Sequence, residues 1–188
     1  LRGPIAICEN GVVKMGAKIY GATTIGPYSK VGGEVNNCMI QGYSNKGHDG
    51  FLGNAVLGEW CNLGADTNNS NLKNNYQSVD IYNYSEEKYV DTELQFCGLI
   101  MGDHSKSAIN TMFNTGTVVG VSANIYGADF PSKFIPSYSW GGRKPLEYKF
   151  EKAMDTAKRV MERRNISLTE EDLEILKTVY DLSQKFRK

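Results

Sequence analysis

Histidine is scarce in this chain: His48 and His104 are the only two among 188 residues. A metal centre built on several imidazoles cannot be assembled within one subunit from that supply, which counts against a metal-hydratase reading. Cysteine is sparse too, and Cys8, Cys38, Cys61 and Cys97 lack the short spacings of zinc or redox motifs. They read as reduced thiols of a cytoplasmic protein with no resident metal. Neither sign of charge has a surplus, with 21 Lys and Arg against 21 Asp and Glu. No global field then draws the chain to nucleic acid or to an anionic membrane. No uncharged apolar run approaches the roughly 20 residues that a membrane-spanning helix needs. An initiator Met and a secretory leader are also missing, because the chain opens at Leu1 and its repeats begin almost at once. That opening predicts a fragment of a longer chain.

What is present is a beat of six. From Ile7 an aliphatic residue returns as Val13, Ile19, Ile25 and Val31, and Gly11, Ala17, Thr23, Ser29 and Val35 follow at the fourth place. The beat resumes at Leu57 and Leu63, with Cys61 and Thr67 in the small slot. It resumes again as Met101, Ser107, Phe113, Val119 and Ile125, followed by Ser105, Thr111, Thr117 and Ala123. Helices repeat at 3.6 and half-buried strands at two, whereas hexads build parallel β-helices. The spacing predicts an all-β domain, a left-handed parallel β-helix over residues 1–142. Each hexad supplies a short strand and a corner; the aliphatic residue points into a narrow prism and the small one packs the corner. At 188 residues the chain can form one domain with a sizeable core.

Two stretches break the beat and read as inserted loops. Residues 37–50 are polar and glycine-rich, and residues 68–96 are too long for a simple connection and dense in Asn. From about Pro145 the apolar spacing turns helical, through Leu146, Phe150, Ala153, Met154, Ala157, Val160 and Met161. Ser167 and Glu170 form a candidate capping box ahead of a second apolar stripe, Leu173 to Phe186. Residues 143–188 are thus expected to be a helical extension packed on the prism or on a neighbouring subunit.

The run Gly47-His48-Asp49-Gly50-Phe51-Leu52-Gly53-Asn54-Ala55-Val56-Leu57-Gly58, with Asn62-Leu63-Gly64-Ala65-Asp66-Thr67 and Asn71, carries a resemblance. It is similar to the acetyltransferase half of the bifunctional N-acetylglucosamine-1-phosphate uridyltransferase/glucosamine-1-phosphate N-acetyltransferase family. Ile25-Gly26-Pro27-Tyr28 resembles the same family upstream, so the likeness is strong over residues 25–71. Sugar-1-phosphate nucleotidyltransferases carrying this C-terminal prism are more similar still, through residues 111–117 and Pro136-Ser137-Tyr138-Ser139-Trp140-Gly141-Gly142. The Gly-rich Thr-Arg signature of nucleotidyl transfer is not present, so that activity would belong to an N-terminal domain outside this chain.

The resemblance implies acetyl transfer from acetyl-CoA to an amino sugar or its phosphate, with acetyl-CoA as co-substrate and the site between subunits of a homotrimer. His48 falls on the family's catalytic base, and an imidazole accepts a proton near neutral pH. Asn62 and Asn71 match sugar-contacting amides, and Gly64 and Ala65 lie where the backbone approaches the thioester. Departures accompany the match. Asn36 stands where the family has a phosphate-binding Lys, Gly32 where it has an Arg, and Phe51 where it has a Tyr. Desolvating a dianion without charged donors is costly. Either Lys46 and Lys73 replace the lost cations, or the acceptor is not glucosamine 1-phosphate, or catalysis has gone. The alternative function is a non-catalytic trimerisation or regulatory domain of a sugar nucleotidyltransferase. His104, in an outward slot before Ser105, reads as a surface or interface residue.

Overall fold

In a computed structural model that describes residues 1–187, the chain winds into stacked three-sided coils. The first face carries seven parallel strands: Ile5–Ile7, Thr23–Ile25, Met39–Ile40, Val56–Leu57, Ile100–Met101, Val118–Val119 and Phe134–Ile135. The second runs through Val12–Val13, Lys30–Val31, Asn45–Lys46, Asn62–Leu63, Lys106–Ser107, Asn124–Ile125 and Ser139–Trp140, with Leu146–Glu147 added antiparallel. The third is built from Lys18–Tyr20, Glu34–Asn36 and Phe51–Gly53, then Asn68–Asn69 and Met112–Phe113. This is the parallel β-helix that the hexads predict.

Strands of two or three residues alternate their side chains, so one residue per side enters the prism. Ile25, Val31, Val35, Ile40, Leu52, Leu57, Leu63, Met101, Phe113, Val119, Ile125 and Ile135 fill that interior. Burying each contributes about 1.5–3 kcal/mol, and because the coils stack, the gain comes from neighbours. The corner between the first and second faces places Tyr28, Tyr43, Trp60, His104, Ser122 and Tyr138 at φ between 53° and 60°. The small residue after each is buried, which is the packing the sequence predicts for Ser29, Cys61, Ser105 and Ala123. Hydroxyls knit this corner: Ser29 Oγ donates to the Gln41 carbonyl at 2.6 Å and accepts from the Ser44 amide at 3.0 Å.

Residues 37–50 are not an inserted loop. They form a full coil whose strands pair in register, Ile25 with Ile40 and Val31 with Lys46. Two effects hid it. The interior residue after Val31 is Val35, only four positions on, because the chain turns tightly at Gly32-Gly33, the latter at φ 67°. A Cβ on Gly33 would meet the His48 carbonyl at 2.6 Å. The interior slot six after Ile40 is then taken by a lysine, Lys46, which is 1% exposed. The second interruption is a true excursion, but its first residues belong to the prism. Asn69 occupies an interior slot, and its amide accepts from the Gly53 amide and donates to the Gly53 carbonyl, at 2.8 and 2.9 Å. Beyond it the chain builds a hairpin, Asp80–Asn83 against Lys88–Asp91. That hairpin leans on the last coils, with Tyr82 stacked on Phe134 at 3.7 Å.

The tail packs on the prism of its own chain. Helix α1 (Phe150–Glu162) buries Ala153, Met154, Ala157 and Met161, and α2 (Glu170–Leu182) buries Leu176. Ala153, Met154 and Leu176 join Tyr138 and Tyr148 in a second apolar cluster. Tyr138 Oη donates to the Leu176 carbonyl at 2.7 Å, tying α2 to the corner column. The capping box of α2 is Thr169 with Asp172, not Ser167 with Glu170, because the chain stays extended until Thr169.

Candidate active site

A groove of about 730 Å³ runs between the second face and the C-terminal end of α1. Its floor is the outward slot of successive coils, where Lys30 pairs with Asn45, Asn45 with Asn62 and Asn62 with Lys106. Tyr43 and Trp60 edge one side. Gly47, His48, Gly64, Ala65 and Ile109 edge the other, and Val160, Arg163 and Arg164 of the tail form the wall.

His48 is exposed on the corner that follows the strand Asn45–Lys46. Its backbone is held from inside the prism. Lys46 Nζ donates to the carbonyls of Gly32 and Asp49, both at 3.2 Å, and to that of His48. Burial pushes the Lys46 ammonium below its ordinary value, opposed by the charges of Asp49 and Asp66. Lys46 therefore does not face a ligand as the sequence suggested. Its head is spent on the carbonyls of Gly32 and His48, which have no backbone donor, and on that of Asp49, which also accepts from the Asp66 amide at 3.0 Å, so it positions His48.

The groove gathers His48, Asn62, Gly64 and Ala65. Gly64 offers no free donor, since its amide donates to the Ser107 carbonyl at 3.0 Å. Its missing side chain has another use: a Cβ there would meet the Ala108 backbone at 2.4 Å, so glycine lets two coils close up. The other anticipated contacts do not line the groove. Asn36 lies on the third face and donates to the Tyr20 carbonyl at 3.4 Å. Phe51 lies on the same face, and Asn71 donates to Asn54 Oδ1 at 2.7 Å. Lys73 pairs with Asp80 at 3.1 Å within the excursion and replaces no groove cation.

Sequence reasoning missed Lys14, Lys30, Tyr43, Asn45, Trp60, Lys106, Arg163 and Arg164, all of which line the groove. A faint signal existed for some: Lys30, Asn45, Asn62 and Lys106 each stand one place before an interior residue. His104 is half-buried, at the contact between the prism and the tail of its own chain. It lies beneath α1 beside Ala153, Thr156 and Ala157, with Nδ1 buried and unpartnered. Burial, helped by the charge of Lys106 and opposed by Asp172, pushes it down to about 4. Burial likewise lifts the Cys61 thiol to about 12, so it packs the corner and is no nucleophile. Among the described residues, no three His, Cys, Asp or Glu converge to hold a metal, and no helix is long and apolar enough to cross a membrane.

Fold and groove together define a prism of hexapeptide repeats with a polar groove along its second face. Over 87 residues, 46% of its length, the chain is 32% identical to the bifunctional protein GlmU of Methanococcus aeolicus and 31% identical to that of Methanocaldococcus jannaschii. It spans only about a fifth of the length of either relative. Among solved structures it is similar to a hexapeptide transferase family protein from Anaplasma phagocytophilum, covering 97% of this chain and 92% of that one. The identity there is 14% and the TM-score 0.39. It is also similar to the polySia specific acetyltransferase NeuO, over 76% of this chain and 86% of that one, with 13% identity and a TM-score of 0.33. No family model matches the chain.

Proposed function

We propose that the chain is an acyltransferase domain that moves an acetyl group from acetyl-CoA to the amine of an amino sugar or amino-sugar phosphate. The observation that carries this reading is the exposed imidazole of His48 on the rim of a groove floored by amides, braced from beneath by Lys46. The amine attacks the thioester carbon while His48 accepts its proton, so an N–C bond forms as positive charge is removed from nitrogen. The C–S bond then breaks, and the departing thiolate takes the proton back. Asn62 offers an amide to a sugar hydroxyl, and the wall from α1 narrows access for water. A cytoplasmic setting suits a co-substrate made there and the four free thiols. The relatives' greater length is consistent with an attached N-terminal nucleotidyltransferase domain.

A second reading, a trimerisation or regulatory domain without catalysis, is favoured by the first face. Its outward slot holds Met39 and Val56, which are 52% and 39% exposed, and no charge from Thr24 to Val118. Both readings make the chain a homotrimer. Thiol release from acetyl-CoA over a panel of amino-sugar phosphates separates them, comparing the chain with His48→Ala. Acyl transfer predicts turnover that falls by about 10²- to 10⁴-fold in the variant. Full activity in His48→Ala removes His48 as base, and no turnover with no calorimetric binding of coenzyme A favours the structural role.

A further inference from the structure

We propose that Arg163 and Arg164, at and just past the C-cap of α1, form with Lys14 and Lys30 of the prism an anion subsite that takes a phosphate monoester or diphosphate. The tail is then part of the ligand site and not only a cap on the coils. The groove collects Lys14, Lys30, Lys106, Arg163 and Arg164 and no carboxylate, in a chain whose charges balance at 21 to 21. None of the five forms an ion pair among the described residues. Lys106 is already engaged, donating to the His104 carbonyl at 2.8 Å, and burial lowers its affinity for protons. Lys14, Lys30 and Arg163 make no side-chain hydrogen bond among the described residues, and Arg164 keeps donors beyond the one it gives to Asn45.

Their placement is specific. Arg164 Nη2 donates to Asn45 Oδ1 at 3.3 Å, which carries the guanidinium across the groove onto the floor between Lys30 and Asn62. Arg163 caps the helix beside it. Basic residues at a helix C-terminus are favoured by the helix dipole, and that accounts for the arginines alone. It does not account for Lys14 and Lys30, which belong to coils and gain nothing from the dipole. Like charges gathered in one concave site repel one another, and a dianion relieves this while matching the fork of an arginine. The subsite supplies positive charge that Asn36 and Gly32 do not.

The anion's bearer rests on the acyl-transfer reading, since either coenzyme A or a phosphorylated sugar acceptor brings the required group. The whole chain is titrated by calorimetry with coenzyme A, with pantetheine, with glucosamine 1-phosphate, with glucosamine and with inorganic pyrophosphate. Charge-assisted contacts predict that Arg163→Ala/Arg164→Ala weakens the phosphorylated probes by about 10- to 100-fold and leaves pantetheine and glucosamine unchanged. Lys30→Ala, which leaves the tail in place, is expected to act in the same direction and to flatten the salt dependence. Loss confined to coenzyme A or to the sugar phosphate identifies the bearer. Pyrophosphate binding that needs these residues in a chain without turnover supports the subsite while removing the acyl-transfer reading. Equal affinity for phosphorylated probes in parent and both variants, or equal losses for pantetheine and glucosamine, overturns the proposal.

Discussion

Along the first face the outward slot reads Thr24, Met39, Val56, Ile100 and Val118; along the second it reads Lys30, Asn45, Asn62, Lys106 and Asn124. The two faces share a parallel ladder of strands two or three residues long. They differ most in the outward residue of each strand. An apolar, uncharged slot makes a surface suited to another copy, and an amide-and-lysine slot makes a floor for a polar ligand. Interior residues thus hold the scaffold, and outward residues one place earlier set the surface chemistry of each face.

The largest way to break that contrast is to charge the first face. In a homotrimer, Val56→Asp buries three carboxylates without partners, and the assembly is expected to fall to monomers in light scattering while circular dichroism is unchanged. An unaltered molar mass in the variant would count against assembly through this face. Next comes the interior of the second face. Lys46→Met keeps the stem but strands the carbonyls of Gly32 and His48, so it should cost about 2–4 kcal/mol in denaturant unfolding and lower activity by releasing His48. Asn62→Ala, on the floor, is expected to leave stability alone and lower kcat/KM for a sugar acceptor by about 1–2 kcal/mol, roughly 10-fold.

The smallest expected effect lies where the second face meets the tail. His104 titrates at about 4 when docked and near the ordinary 6.5 when released, so the released state binds more protons between those values. Docking stability is complete above about 6.5 and falls as pH drops toward 4. At pH 5 the loss is about 1 kcal/mol once solvent screening of this half-buried ring is allowed for. Hydrogen exchange in α1 should accelerate on acidification, and His104→Phe should remove that acceleration. Exchange that speeds up equally in the variant assigns the acid response to another group.

The hexads were legible from Ile7 to Val31 and from Met101 to Ile125, where every interior residue but Ser107 is apolar. They failed at residues 37–50 because Gly32-Gly33 shortens a corner and Lys46 replaces an aliphatic side chain. Of the anticipated site, His48, Asn62, Gly64 and Ala65 share one groove. Asn36, Phe51 and Asn71 could not be separated from them by motif alone, because a corner between strands sends neighbours in sequence to different faces. Lys73 has its partner Asp80 inside the excursion, and no motif encodes the path that brings the two together.

By itself the sequence determined the prism, since a six-residue alternation of bulk and smallness has one low-energy way to bury its apolar side chains. It also determined the helical tail, through the switch to three- and four-residue spacing. Where that tail lies was decided by tertiary structure, because Arg164 meets Asn45 across 119 positions of chain and no local pattern encodes such a meeting. The same holds for Lys46, whose charge looks exposed in sequence and is sheltered in space by three carbonyls that folding brings around it.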